Sequence, residues 1–235
     1  MSSVPATAGN PAEPSTPPAD QTPLSPRTRL GLSLAVFGIA LYIVLDVIAQ
    51  LLPPHYSPIS QAESDLAVGP YGYVMTVNFV VRGLLTFAFL FGAVGATRWG
   101  RTARAGLALL AIWGAGAFIL AASPTDVGSV VTVHGTIHNL TAAVAFLGGA
   151  FGTLLLSFHL AGEERLRRID LAARVIAGLS VVMVFVTLGA SVIHRLAHVF
   201  GLVERIFIGL VLLWILLVAL QLLLSDRPRG QVIRG

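Results

Sequence analysis

The chain has no cysteine and no lysine. Without cysteine, disulfides and thiolate metal sites are excluded. Without lysine, all fifteen basic residues are arginine. Together with abundant Ala, Gly, Val and Leu, this points to a high-GC bacterial genome. Charge is scarce as well. Charged residues make up 11% of the 235 positions, against about a quarter in soluble domains. Also missing are a phosphate-binding glycine loop, a dinucleotide fingerprint and a Gly-x-Ser-x-Gly nucleophile elbow.

What is present is apolar length. The chain is 55% hydrophobic, with a mean hydropathy of +0.83. Six apolar runs cover 30–52, 71–96, 104–122, 137–160, 173–193 and 205–225. Each is close to the ~20 residues that cross a bilayer core as a helix. They show no apolar/polar alternation, so helices and not barrel strands are expected. The expected fold class is therefore all-α, a polytopic membrane bundle of six transmembrane helices over residues 27–226. Residues 1–26, rich in Pro, Ser, Thr and Ala, read as a disordered cytoplasmic tail and not a signal peptide. Residues 227–235 read as a short cytoplasmic tail.

Arginine placement orients the bundle. Arg27 and Arg29 precede the first run, and Arg98, Arg101 and Arg104 separate the second from the third. Arg165, Arg167, Arg168 and Arg174 separate the fourth from the fifth, and Arg227, Arg229 and Arg234 follow the last. The alternate loops 53–70 and 123–136 contain none, and the third, near 194–204, has only Arg195, with Arg205 at its edge. This asymmetry predicts both termini in the cytoplasm and a place in the bacterial plasma membrane. A net charge of +4 and a pI near 10.3 would suggest nucleic acid in a soluble protein. Here the arginines flank apolar runs, so the expected partner is the lipid bilayer and not nucleic acid. Small residues at helical spacing, such as Gly92 with Ala96, Ala111 with Ala115 and Gly148 with Gly152, predict close packing within one bundle. The alternative is a dimerisation face; the oligomeric state stays open.

Unusual polarity gathers at the extracytoplasmic end. Arg82 falls near the middle of the second run, where an arginine costs about 2.5–3.5 kcal/mol on insertion scales. It needs a partner or a wet cavity, and Asp46 is the expected partner. Asn78 lies one turn away on the same face. Asp65, Asp126 and Glu204, with Asp46, Asn78 and Arg82, complete the candidate pocket for a lipid headgroup, a small solute or a partner. Four histidines form two His-x-x-x-His pairs, His134/His138 and His194/His198. In an α-helix that spacing puts both rings on one side, as in zinc sites. His134, His138 and His198 are the candidate metal ligands, zinc the candidate ion, with Asp126, Glu63 or Asp65 to complete the shell or act as base.

Several of these segments resemble a known family. Ser57-Pro58-Ile59-Ser60, Asp65 to Pro70, Pro124-Thr125-Asp126, His134-Gly135-x-x-His138 and Gly201 to Arg205 before a Trp-containing last span are similar to the domain of unknown function 998 family, a prokaryotic group of six-span membrane proteins. The resemblance covers roughly residues 30–225. It implies fold and location, and no activity. A more distant likeness is to the ceramidase-like membrane hydrolases, which set Ser, Asp and several His around zinc within seven spans. Three function classes follow: a membrane protein whose polar pocket binds a headgroup, solute or partner; a metal-dependent intramembrane hydrolase using His134 and His138; and a small-solute or proton-coupled transporter.

Overall fold

The computed structural model describes residues 23–97, 99–128, 130–160 and 162–226. Six long helices dominate: α1 Pro26–Leu51, α2 Gly72–Ala96, α3 Arg101–Ala122, α4 Val133–Leu160, α5 Asp170–Val192 and α6 Phe200–Ser225. All six are long and apolar enough to cross a membrane. No strand occurs among the described residues. Large apolar side chains such as Phe37, Leu51, Phe91, Leu140 and Leu171 point outward. In water this surface would be costly; in lipid it is the solvated face.

All the helices but α2 begin earlier than their apolar runs. Pro26 occupies the first turn of α1, where its missing N–H is harmless, and the Ser25 hydroxyl accepts from the Thr28 N–H at 3.1 Å. Leu24 is buried, and its N–H donates to Asp226 Oδ1 at 2.6 Å. Arg29 forms an ion pair with the same Asp226. The start of α1 is thus clasped to the end of α6. Leu24 and Ser25 lie against this end of the bundle, and residues 1–22 of the expected N-terminal tail, with residues 227–235, lie outside the described residues.

Neighbours in sequence pack as neighbours in space, α1 on α2, α2 on α3, α3 on α4, α4 on α5 and α5 on α6. α6 closes the ring by also touching α1, α2 and α4. Gly92, Gly148 and Gly152 serve this intramolecular packing, whereas Ala115 is exposed. A Cβ on Gly152 would sit 2.9 Å from the Leu110 backbone N, and one on Gly106 would sit 3.1 Å from the Gly152 carbonyl oxygen. α3 and α4 therefore meet backbone to backbone. At the heart of the bundle, Trp214 Nε1 donates to Ser157 Oγ at 2.8 Å, and the Ser157 hydroxyl reaches the Thr153 carbonyl at 2.8 Å. Every polar atom in that chain has a partner, as burial requires.

Candidate functional site

One end of the bundle carries the arginine-bearing turns. The other, the polar end, carries the 52–71 loop, the 123–132 loop and the 3-10 segment His194–Val199. The 52–71 loop folds back over α1 and α6. Its anchor is Gly201, whose missing side chain lets the Gln61 carbonyl press against the α6 backbone. The Leu202 N–H then donates to the Ile59 carbonyl at 2.9 Å.

Arg205 pins this loop. Its Nη1 lies 3.3 Å from the carbonyl oxygens of Pro58, Gln61 and Gly201, and its Nη2 donates to the Tyr56 hydroxyl at 2.6 Å. The guanidinium also stands 5.2 Å over the Tyr56 ring. Burial pushes the Tyr56 phenol well above its usual range, so the hydroxyl stays protonated. It points at the Gln61 and Ala62 carbonyls, 2.8 and 2.7 Å away.

The fold-back also buries Glu63 between α1 and α6. Tyr42 on α1 donates its hydroxyl to Glu63 Oε1. The Glu63 N–H donates to Glu204 Oε2 at 2.6 Å. Asp46, one turn from Tyr42, accepts from Gln50 Nε2 at 2.6 Å and stands 3.8 Å from Arg205 Nη2. Three carboxylates thus share one corner of the bundle with Arg205.

The expected partner of Arg82 is corrected here. Asp46 pairs with Arg205, and no ion pair to Arg82 occurs among the described residues. Arg82 is 1% exposed, ten residues into α2 and so about 15 Å from that helix's start. Its guanidinium carbon lies 4.6 Å from the Trp113 ring centre and 5.2 Å from that of Phe79. Its Nε and Nη2 have no hydrogen-bond partner, and neither do Trp113 Nε1 and Asn78 Oδ1. Beneath the guanidinium, Trp113, Phe146 and Phe207 pack as a three-ring cluster with centroids 4.9–5.9 Å apart. Tyr42 and His138 stand within Coulombic range of the same charge. The centre of the polar half is therefore a cation with unpaired donors, walled by aromatic rings.

The histidines do not converge. His138 is buried, packs edge-on against Phe79 with centroids 6.2 Å apart, and holds its Nδ1 2.7 Å from the Ser123 carbonyl. A carbonyl only accepts, so Nδ1 carries the proton. His134 and His198 are exposed. His194 and His198 lie on a 3-10 segment, which turns every three residues, so a four-residue spacing does not share a face. No group of three His, Asp or Glu residues able to hold a metal occurs among the described residues. Asp126 instead braces the start of α4. It accepts from the Thr132 N–H at 2.9 Å and hydroxyl at 2.7 Å, while Thr132 Oγ1 accepts from the Gly135 N–H at 3.0 Å. Those bonds to the carboxylate hold Asp126 below the usual aspartate range.

Asp65 lies apart from the Arg82 centre. Its Oδ2 accepts from the Ala62 N–H at 3.2 Å, and it lines a cavity of about 230 Å3 enclosed by the 52–71 loop and Val127. Burial raises its carboxyl above the ordinary aspartate range.

A family model described as protein of unknown function (DUF998) matches residues 36–221. The chain belongs to that family. No curated protein and no solved structure matches it. The DUF998 match contains every candidate residue from Asp46 to Glu204, whereas the Arg29–Asp226 clasp falls outside it. Within this DUF998 bundle, sequence reasoning missed Tyr42, Trp113 and Tyr56 as site residues and weighed Glu63 only as a metal ligand or its general base. One signal was available: Tyr42 and Asp46 are four apart on one helix, hence on one face.

Proposed function

We propose that this multi-pass membrane protein resides in the bacterial plasma membrane with both termini in the cytoplasm. Its function is to bind an anionic group, phosphate or carboxylate, in the extracytoplasmic half of the bundle through Arg82. The observation that carries this reading is a guanidinium 1% exposed with two nitrogens unpaired. An uncompensated buried charge costs several kcal/mol, by order of magnitude, unless a counter-charge fills the space. Phosphate and carboxylate match the planar fork of arginine. Trp113 Nε1 is a further donor without a partner, and Asn78 Oδ1 an acceptor suited to a hydroxyl on the same ligand. A lipid headgroup and a small solute share this chemistry.

Native mass spectrometry of the full-length protein with dihexanoyl phosphatidylglycerol and with dodecanoate tests the reading and separates the two anions. Wild type should retain an adduct of at least one of them. Arg82→Gln should lose it and Arg82→Lys should keep part of it. Equal retention by wild type and Arg82→Gln would reject Arg82 as the binding group.

A second reading, proton-coupled transport, is favoured by one observation. Two buried carboxylates lie between α1 and α6, Glu63 accepting from the Tyr42 hydroxyl and Glu204 from the Glu63 backbone N–H, with Asp46 beside them. Acidification-driven solute uptake in proteoliposomes that vanishes in Glu204→Gln would favour transport over binding alone.

A further inference from the structure

The cavity under the 52–71 loop has a chemistry opposite to that around Arg82. Its walls carry Asp65, Tyr56 and Tyr71, with Leu52, Leu66 and Val68 supplying apolar surface. We propose that this cavity is a binding site for an organic ammonium group, held between the Asp65 carboxylate and the rings of Tyr56 and Tyr71.

Aromatic faces attract cations through their quadrupole, and a nearby carboxylate adds direct charge. The apolar share of the wall selects among cations. A calcium or magnesium ion needs six or more oxygen ligands or retained waters, and leucine and valine offer none. An ammonium bearing methyl or methylene groups fits both kinds of wall. Asp65 is only partly compensated where it stands. Its carboxyl is half-buried, and burial lifts its pKa by more than the Ala62 N–H bond and the Arg205 charge lower it. A bound cation would relieve that desolvation. Arg205 touches Tyr56 but does not line the cavity; its Nη1 lies against the Pro58, Gln61 and Gly201 carbonyls and its Nη2 on the Tyr56 hydroxyl, while its Nε has no partner. The site sits where α1 ends and α2 begins, the level at which tyrosines meet the headgroup region. The ammonium can come from a zwitterionic lipid or from a free amine in solution. This inference stands on the cavity alone and does not depend on Arg82.

Calorimetric titration of the full-length protein in a neutral maltoside detergent tests it. The probes are tetramethylammonium chloride against sodium chloride, and dihexanoyl phosphatidylcholine against dihexanoyl phosphatidylglycerol. Saturable heat with tetramethylammonium supports the site with a free amine as a sufficient ligand. Saturable heat with the phosphatidylcholine alone supports it with a lipid as the source. In either case Asp65→Asn and Tyr71→Leu should each weaken binding by about tenfold. The asparagine can still accept from the Ala62 N–H, so the loop should fold; if it does not, Tyr71→Leu carries the test, since Tyr71 is 39% exposed. No saturable binding of either ammonium probe by folded wild type, or unchanged binding in the folded variants, overturns the proposal.

Discussion

The exchange of partners between Asp46 and the two arginines leads to a double-mutant cycle with a definite sign. The variants are Asp46→Asn, Arg205→Gln, Arg82→Gln and the two doubles that include Asp46→Asn. Arg205 and Asp46 approach to 3.8 Å, with side chains 18% and 17% exposed. An exposed pair is worth about 0–1 kcal/mol, and breaking a fully buried one costs about 3–5 kcal/mol. At this intermediate burial, and with a distance too long for a hydrogen bond, a coupling of about 1–2 kcal/mol is expected. Arg205→Gln alone should cost more. It also removes the charge-assisted bond to Tyr56 at 2.6 Å, worth about 1.5–3 kcal/mol, and the three longer carbonyl contacts that pin the loop. The single change should therefore total about 3–5 kcal/mol. At ~2–4 °C per kcal/mol for a chain of this size, thermal unfolding in detergent resolves these differences. Asp46 with Arg82 should be additive within about 0.5 kcal/mol. A coupling larger for Asp46–Arg82 than for Asp46–Arg205 would refute the arrangement.

Further outcomes are expected from the loop, the helix starts and the topology. Gly201→Ala drives a Cβ into the Gln61 backbone carbonyl; it should lower the melting temperature by the equivalent of about 1–3 kcal/mol or more and speed proteolysis within residues 57–62. Asp126 has a folded pKa below its ordinary 3.8, so the order it lends to α4 is full above 3.8 and is lost as pH falls through the lower folded value. The hydrogen-exchange protection factor at residues 133–136 should fall in that acid window in wild type and be pH-independent there in Asp126→Asn. Deleting residues 2–22 should leave the melting temperature unchanged, whereas deleting 2–25 removes the Ser25 cap and the Leu24 contact and should cost ~1 kcal/mol or more. Reporters fused after residues 100 and 168 should report cytoplasm and those at 62 and 128 should not; the reverse would overturn the orientation.

The six helices were legible because lipid leaves a chain few options. A backbone without water must satisfy itself, so each apolar run of sufficient length becomes a helix. The ends were less legible. Pro26, Val133 and Phe200 start their helices four or five residues ahead of the apolar runs, since capping and interfacial packing, not hydropathy, set those points. The depth of Arg82 in the bundle was readable from its place in the second apolar run, but its lack of an ion-pair partner was not. Which side chain Arg82 meets depends on the rotation of α1 and α3 and on a loop that folds back over α6. Nothing in residue spacing announces that Glu63 enters the corner beside Asp46 or that Arg205 reaches Asp46 first. Residues 194–199 wind as a 3-10 segment, and the four-residue rule applied to His194 and His198 belongs to the α-helix. Of the small-residue pairs, Gly92 and Gly148 with Gly152 do meet neighbouring helices of the same chain, whereas Ala115 is exposed.

The central claim, that Arg82 holds an anion, is tested most directly on the guanidinium itself. The Nε–H signal of Arg82 can be assigned in 15N-arginine-labelled protein by its disappearance in Arg82→Lys. Titration with dihexanoyl phosphatidylglycerol, and separately with dodecanoate, should move that signal saturably and slow its exchange with water, while the Arg205 Nε–H stays in place. An Arg82 signal unmoved by both anions would contradict the account.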